Sequence, residues 1–200
     1  DRPLATGGRA ERGPRRTAEL SVRKTGGRLV ERLHASPTGF FGGRGADAVV
    51  RHGAFIRENV IILEGGILGH ASEAKNSIML HGAHAPHFNY IGDSILGAHV
   101  NLGAGTKLSN LTMVSVKDPH TGRRPTLQFI VGERLYDTGL AKLGAILGDD
   151  VQTGCNAVLN PGCLVGPRTI IYANVSLRKG YYEPDCVQKL RQAVEGYNLR

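Results

Sequence analysis

Three closely spaced histidines offer the most reactive chemistry in this 200-residue chain. His81, His84 and His87 are three residues apart from one another. Imidazole is a common metal ligand and, because it titrates near neutral pH, also a common general base. In an extended chain, residues three apart point in different directions, which works against a metal site built from this run alone. We therefore expect no metal here and consider His87 as a base.

His87 is the preferred candidate because it lies where a regular pattern is interrupted. An apolar or small residue recurs at every sixth position, and this pattern slips by two residues between Ala85 and Tyr90. A slip redirects side chains that would otherwise belong to a regular wall. A histidine placed there can accept a proton from an attacking amine. The alternative interpretation is an ordinary surface histidine.

The six-residue period predicts the fold that must position these side chains. Hexapeptide repeats are typical of a parallel β-helix, in which each hexad forms one short strand and one corner. A β-sandwich would instead need the period-two alternation that these segments lack. The predicted inward positions are Val50, Ile56, Ile62, Leu68, Ala74, Leu80, Tyr90, Leu96, Leu102, Leu108, Leu147, Thr153, Leu159, Val165, Ile171 and Leu177. We predict an all-β protein with one repetitive core.

The pattern divides the chain into three parts. Residues 1–45 show no period and are predicted to be an irregular basic segment. Residues 46–182 form the β-helix domain, interrupted by an excursion at 111–143. Residues 183–200 carry apolar side chains at helical spacing, which predicts a short capping helix. The hexads therefore supply the only extensive core.

The excursion is predicted to contain a hairpin. Thr112–Val116 and Thr126–Val131 have strand-like composition, and the segment Asp118–Gly122 between them has turn chemistry. Insertions in solenoids often lie on the binding face, so this hairpin is a candidate for function. The alternative is an insertion with no role in the site.

Charge and cysteine content exclude several classes of function. The net charge is +8, but residues 1–45 hold ten basic and four acidic residues, leaving 15 against 13 elsewhere. With 6% aromatic residues and no nucleic-acid motif, we expect a solvated arm and no nucleic-acid partner. The sequence has no apolar run of membrane-span length and no signal-peptide pattern, and its three cysteines lack paired spacing. We expect a cytoplasmic protein with free thiols and no membrane partner.

Two further motifs give a family resemblance. Pro86–Asp93 (PHFNYIGD) and Val100–Thr106 (VNLGAGT), followed by Asn110, resemble the acetyltransferase domain of the bifunctional glucosamine-1-phosphate acetyltransferase/N-acetylglucosamine-1-phosphate uridylyltransferase. The segments Lys142–Ile146, Thr153–Gly154 and Asn160–Gly162 are similar to archaeal and bacterial sugar-1-phosphate nucleotidylyltransferases that carry an amino-sugar acetyltransferase domain. The resemblance covers about residues 49–178.

The resemblance implies roles for individual residues. It makes His87 the catalytic base and places Arg57, Lys75, Tyr90 and Asn101 at substrate-binding positions. Arginine and lysine neutralise a sugar phosphate, whereas tyrosine and asparagine bond to sugar hydroxyls. The positions implied for acetyl-CoA binding are Ala104, Asn110, Cys155 and Ala173, with Cys155 replacing a small hydroxyl residue of the family. Lys117 and Lys142 are further candidates from the excursion.

The resemblance also implies an assembly and a reaction. It implies a left-handed coil and a homotrimer with sites between adjacent subunits. The reaction is transfer of acetyl from acetyl-CoA to the amine of an amino-sugar 1-phosphate, in UDP-N-acetylglucosamine-type biosynthesis, without a metal. No nucleotidyltransferase domain is expected within this sequence. Two alternatives stay open, namely a non-catalytic assembly or regulatory module of a sugar nucleotidyltransferase and a zinc-dependent hydratase of the carbonic-anhydrase type.

Overall fold

The computed structural model of this protein describes residues 34–35, 45–113 and 115–191. All regular secondary structure among these residues is β, in 22 short strands. Three parallel sheets form the three faces of a prism, and a separate two-stranded hairpin projects from it. Within the described residues, no helix has the length and apolar character needed to span a membrane.

Each of the three sheets contains one strand from each successive coil. Sheet A comprises β1 (His34–Ala35), β3 (Phe55–Ile56), β6 (Glu73–Lys75), β9 (Tyr90–Gly92), β12 (Lys107–Leu108), β17 (Val158–Leu159) and β20 (Ser176–Leu177). Sheet B comprises β4 (Val60–Ile62), β7 (Ser77–Met79), β10 (Ile95–Leu96), β15 (Ala145–Leu147), β18 (Cys163–Val165) and β21 (Gly180–Tyr182). Sheet C comprises β2 (Val49–Val50), β5 (Ile67–His70), β8 (His84–His87), β11 (Asn101–Leu102), β16 (Gln152–Thr153), β19 (Ile170–Ile171) and β22 (Val187–Gln188).

From Val49 onward the chain passes through sheets C, A and B in turn, so that three strands complete one coil. We name the edges between the faces the C/A, A/B and B/C corners. Six coils are stacked in this way. Because the strands of neighbouring coils pair in parallel, equivalent residues lie one above another at about 4.8 Å per coil.

The centre of the core is formed by three inward columns of larger side chains, one from each sheet, with further small and β-branched residues such as Val60 and Val100 buried beside them. Each inward side chain stacks on its equivalent in the next coil, which removes apolar surface from water without a globular centre. The buried columns are Val50, Leu68, Ala85, Leu102, Thr153 and Ile171 in sheet C; Ile56, Ala74, Ile91, Leu108, Leu159 and Leu177 in sheet A; and Ile62, Met79, Leu96, Leu147 and Val165 in sheet B. The predicted parallel β-helix is confirmed, whereas the hand of the coil stays a prediction.

The interruption of the repeat lies elsewhere than the sequence pattern indicated. Met79 and Ile91 point inward, instead of the predicted Leu80 and Tyr90. From Ala74 to Met79, and again from Ile91 to Leu96, the inward positions are five residues apart instead of six. Both short turns are at the A/B corner, so the irregular backbone lies beside Lys75 and not around His87.

Buried serines stabilise the short turns. Asn76 and Asp93 adopt left-handed backbone angles, with φ of 45° and 47°. The Ser77 hydroxyl donates to the Lys75 carbonyl at 2.7 Å and accepts a hydrogen bond from the Ser94 amide at 3.0 Å. Ser94 repeats this arrangement with the Gly92 carbonyl at 2.7 Å and the Ala145 amide at 3.0 Å. A hydroxyl thus replaces the backbone partner that each shortened turn lacks.

The excursion leaves the prism after β12 and returns at β15, at the A/B corner of the fourth coil. Its hairpin pairs β13 (Gln128–Val131) with β14 (Arg134–Asp137) in antiparallel register. The prediction of a hairpin is confirmed in outline, but its first predicted strand was wrong. The described residues of Thr112–Val116 form no strand, and the hairpin turn is at Gly132–Glu133 instead of Asp118–Gly122.

Both ends of the described chain add strands where other structure was expected. Val187–Gln188 pairs with Ile170–Ile171 as a strand, so the prediction of a capping helix is wrong for the described residues 183–191. The edge of the sixth coil carries backbone groups that a further strand satisfies, and Ile170 donates to the Cys186 carbonyl at 2.9 Å. Residues 192–200 lie outside the described residues.

In the segment expected to be irregular, His34–Ala35 pairs with Phe55–Ile56, and residues 1–33 and 36–44 lie outside the described residues.

Candidate active site

The predicted base and three of the predicted donor-binding residues lie on one column at the C/A corner. Successive backbone hydrogen bonds define this column. The Gly105 amide donates to the His87 carbonyl at 3.0 Å, the Asn156 amide to the Ala104 carbonyl at 2.8 Å, and the Asn174 amide to the Cys155 carbonyl at 2.9 Å. His87, Ala104, Cys155 and Ala173 therefore occupy four consecutive coils. At about 4.8 Å per coil, the distance along the prism from His87 to Ala173 is about 14 Å. We call these four residues the C/A column.

Side-chain size changes sharply along the C/A corner. Above His87 the side chains of Ala104, Cys155 and Ala173 are small, and Cys155 and Ala173 are exposed. Below it are the larger rings of His70 and His52, stacked at 6.1 Å between centroids. The small side chains leave an open strip along the prism that begins at an exposed imidazole. Such a strip suits an extended ligand whose reactive end reaches His87.

Asn89 holds the backbone of His87 in place. Asn89 is 2% exposed, its Oδ1 accepts from the His87 amide at 3.0 Å, and its Nδ2 donates to the Gly103 carbonyl at 2.8 Å. The Asn89 amide in turn donates to the Ser72 hydroxyl at 3.1 Å. Phe88, between them, turns the corner with a φ of 52°. Asn89 thus connects the His87 coil to the coils on either side of it, through its side chain on one side and its main-chain amide on the other.

A cluster of charged residues lies at the A/B corner, on the other side of sheet A. Arg57 contacts Glu73 at 3.2 Å and Glu58 at 3.6 Å, and Lys75 contacts Glu58 at 3.6 Å and Asp93 at 4.0 Å. The hydrogen bond to Glu73 is the main cause that raises the pKa of Arg57 above its ordinary value. Two cations and three carboxylates give this cluster a formal charge of −1.

Tyr90 and Asn110 complete this A/B cluster. Tyr90 pairs in register with Glu73, and burial, followed by the charges of Glu73 and Asp93, raises the pKa of its phenol. Asn110 donates through Nδ2 to Asp93 Oδ2 and also bonds to the Tyr90 side chain. Sequence reasoning placed Asn110 on the donor side, but in this structure it lies with the predicted acceptor residues.

Three acidic residues of the cluster were missed by sequence reasoning. Glu58 is next to Arg57 in sequence, and Glu73 is two residues before Lys75, so an acidic neighbour beside each cation was a visible signal. Asp93 contacts Lys75 because the two residues lie in neighbouring, stacked coils. Their alignment depends on the shortened turns, which the sequence pattern did not locate. Lys75 has 11% of its side chain exposed, so a ligand must approach closely to contact its ammonium group.

The remaining predicted site residues are more dispersed. Asn101 points outward from sheet C, between His84 and Gln152 in neighbouring coils. Lys117 and Lys142 are exposed in the excursion.

The three closely spaced histidines do not form one cluster in the structure. His81 packs edge-on against His99 at the B/C corner, with 4.9 Å between ring centroids, whereas His87 is at the C/A corner. In the part of the chain that the structure describes, no three histidine, cysteine or acidic side chains are grouped so as to hold a metal ion.

The fold defines the class of protein, a parallel β-helix built from hexapeptide repeats. Within that class, residues 144–179 match the family model described as bacterial transferase hexapeptide (six repeats). This match covers the last two coils before the C-terminal strands and shows similarity to that family in those repeats.

The chain is also similar to curated bifunctional proteins. It is 33% identical over 141 residues to the bifunctional protein GlmU of Methanococcus maripaludis, covering 70% of this chain and 32% of that protein. It is 32% identical over 132 residues to the bifunctional sugar-1-phosphate nucleotidylyltransferase/acetyltransferase of Sulfurisphaera tokodaii, covering 65% and 31%. These matches confirm the resemblance found in the sequence. The chain spans about a third of the length of these relatives.

Solved structures show more distant similarity. The polysialic acid O-acetyltransferase OatWY overlaps 74% of this chain and 77% of its own, with 14% identity and a TM-score of 0.41.

Proposed function

We propose that this protein is an acetyl-CoA-dependent N-acetyltransferase that acts on an amino-sugar 1-phosphate, such as glucosamine 1-phosphate. The observation that carries the proposal is the C/A column, in which an exposed histidine ends a strip of small side chains. The name of the Sulfurisphaera tokodaii relative, which combines sugar-1-phosphate nucleotidylyl transfer with acetyl transfer, supports the same reaction class.

The C/A column suits acetyl-CoA as the donor. Pantetheine is a narrow, flexible chain, and the side chains of Ala104, Cys155 and Ala173 along the strip are small. In this arrangement the thioester lies beside His87 and the rest of the coenzyme extends along the prism. Cys155 serves as a small wall residue, because direct attack of an amine on a thioester needs no acyl-enzyme.

His87 acts as the general base. The nitrogen of the amino sugar attacks the thioester carbonyl, a C–N bond forms, and the C–S bond breaks. The imidazole of His87 takes the proton that nitrogen loses, and coenzyme A leaves as the thiolate and is protonated to the thiol. The hydrogen bond from the His87 amide to Asn89 fixes the main chain that carries this imidazole. Such positioning contributes much of the acceleration in two-substrate reactions.

Arg57 and Lys75 bind the sugar phosphate. Their carboxylate partners keep both cations at one corner before substrate arrives, but they also compete with phosphate. The guanidinium has five donors, and the contact with Glu73 uses one of them, so phosphate can be bound through others. Tyr90 and Asn101 are proposed to bond to sugar hydroxyls. A homotrimer with shared sites remains part of this proposal.

Thiol release from acetyl-CoA tests the proposal. Glucosamine, galactosamine and glucose 1-phosphates are compared as acceptors, because glucose 1-phosphate lacks the amine. His87→Ala should abolish amine-dependent thiol release, whereas His84→Ala, in the same strand, should retain it. Circular dichroism confirms that both variants keep the β-helix. Unchanged turnover in His87→Ala would contradict the assignment.

Binding of coenzyme A distinguishes an acetyltransferase from the alternative, a non-catalytic assembly or regulatory module. A calorimetric titration with coenzyme A should show saturable binding if the protein is an acetyltransferase. An assembly module without a donor site would show neither binding nor thiol release. That outcome would overturn the proposed function while leaving the fold assignment intact.

A further inference from the structure

Phe88 has a backbone conformation that suits its side chain poorly. At the C/A corner each of the six coils turns through one residue with a left-handed backbone. These residues are Gly53, Ala71, Phe88, Gly105, Asn156 and Asn174, with φ of 72°, 50°, 52°, 74°, 57° and 59° in that order. Glycine and asparagine tolerate this conformation, whereas a bulky side chain makes it strained. Phe88 is the only aromatic residue of this series.

Burial does not compensate for the strain at Phe88. The side chain is 57% exposed, so the phenyl ring is not part of the core. The ring packs edge-on against His70, with 5.9 Å between centroids, and is tilted against His87 at 6.3 Å. Backbone strain of this kind is concentrated at active and binding sites. Its occurrence directly after the proposed base indicates a role for the ring in that site.

Phe88 is the upper end of a row of rings along the C/A corner. His70 stacks on His52 in the coil below, at 6.1 Å between centroids, and all three rings are exposed. The Nδ1 of His70 donates to the His52 carbonyl at 3.0 Å, which fixes the ring against which Phe88 packs. We call His52, His70 and Phe88 the aromatic row. The row runs from His87 toward the first coil, whereas the small side chains begin on the opposite side, at Ala104.

The aromatic row lies in the same coils as the proposed acceptor cluster. The coil that contains His52 continues through sheet A to Arg57, and the coil that contains His70 continues to Lys75. The proposed donor strip lies in the coils above. An acceptor that binds to both cations and presents its amine to the base therefore lies beside the Phe88 ring.

We infer that Phe88 is a specificity residue for the acceptor and that its phenyl ring packs against the C–H groups of the amino-sugar ring. A pyranose presents C–H groups on its two faces, and the negative face of a phenyl ring attracts them. Arg57 and Lys75 can bind any phosphate ester, whereas this contact requires the sugar ring. It also orients the ring beside His87, the residue next to Phe88. The inference rests on the proposed function, because it concerns the acceptor of that reaction.

Steady-state kinetics of thiol release, with glucosamine 1-phosphate and acetyl-CoA, tests the inference. Phe88→Gly should raise the KM for glucosamine 1-phosphate at least tenfold and leave the KM for acetyl-CoA unchanged, since the ring lies on the acceptor side. Because glycine adopts the left-handed backbone without strain, this variant should not lower the melting temperature. Phe88→Tyr keeps an aromatic ring and should retain both KM values.

Ala71→Gly is the matched control. Ala71 has nearly the same φ as Phe88, 50° against 52°, and lies in the coil below. The substitution makes the same change to the backbone without removing a ring. It should leave both KM values unchanged and should not lower the melting temperature.

A second measurement does not depend on turnover. In NMR spectra of glucosamine 1-phosphate, binding to the wild type should shift the C–H protons of the sugar upfield, through the ring current of Phe88. Phe88→Leu, which keeps an apolar side chain without a ring, should remove that shift.

The results distinguish failure of the inference from failure of the proposed function. With an active wild type, an unchanged KM for glucosamine 1-phosphate in Phe88→Gly would overturn the inference alone. An equal rise of both KM values, or the same effect in Ala71→Gly, would also overturn it, because the ring would then have only a structural role. A wild type that neither releases thiol nor binds coenzyme A would overturn the proposed function and the inference with it.

Discussion

Replacement of Asn89 by alanine should destabilise the β-helix and impair His87 together. The Asn89 side chain satisfies two groups, the His87 amide and the Gly103 carbonyl, and it is almost fully buried. Each lost hydrogen bond costs about 1 kcal/mol, and each buried group left without a partner costs about 1–3 kcal/mol. We therefore expect the free energy of unfolding to fall by about 3 kcal/mol, as measured by urea unfolding.

The same variant should slow thiol release. Without Asn89 the corner that carries His87 loses its connection to the next coil, and a displacement of about 1 Å in a catalytic group can lower the rate a hundredfold. We expect kcat to fall by at least tenfold. Asn160→Ala is the matched control, because Asn160 also bonds to the next coil, through the Leu177 carbonyl at 2.6 Å, but is far along the chain from His87. The control should lose stability and keep kcat.

Two results would refute this reasoning. A change in unfolding free energy below about 0.5 kcal/mol would show that Asn89 is not the connection described, since a surface substitution has an effect of that size. An equal loss of kcat in Asn89→Ala and Asn160→Ala would show that activity follows overall stability. In that case the hypothesis that Asn89 specifically positions His87 would be wrong.

Three further predictions concern stability and the acceptor site. Burial raises the pKa of Cys163 to about 12, so between pH 9 and 12 the thiol ionises in the unfolded chain but not in the folded one. The free energy of unfolding, measured with urea, should therefore fall with rising pH in this range, and Cys163→Ala should reduce that pH dependence. In Gly69→Ala the new Cβ would be 1.8 Å from the Pro86 carbonyl oxygen, so the melting temperature should drop sharply, whereas Gly132→Ala, in open space, should cost only about 1–2 kcal/mol for its left-handed backbone. Arg57→Ala should raise the KM for the sugar phosphate and leave the KM for acetyl-CoA unchanged, as steady-state kinetics would show.

The repeat predicted the fold well because each inward position is determined by its own hexad. Most of the predicted inward residues, such as Val50 in the first coil and Leu177 in the sixth, are buried as expected. The slip was misplaced because two turns that are each one residue short produce the same total shift as one two-residue slip. The pattern therefore resumes correctly at Leu96, and only the positions between the two turns, Met79, Ala85 and Ile91, differ.

The candidate site was predictable in its parts but not in its arrangement. The C/A column follows from the coil register, which brings His87 and Ala173 onto one edge although 86 residues separate them in sequence. The partnership of Lys75 with Asp93 depends on where the short turns fall, and the hairpin depends on pairing within an excursion that has no repeat. Sequence periodicity therefore predicts neither the Lys75–Asp93 contact nor the pairing within the hairpin.

Chemical protection of Cys155 tests whether acetyl-CoA binds along the C/A column next to His87. Cys155 is exposed on the C/A column, between Ala104 and Ala173, whereas Cys163 is buried and Cys186 lies away from that column. Alkylation at each cysteine is followed by mass spectrometry with and without a saturating concentration of acetyl-CoA. Acetyl-CoA bound along the C/A column should slow modification of Cys155 at least tenfold and leave Cys186 unaffected. Bound acetyl-CoA that leaves the reactivity of Cys155 unchanged would contradict it.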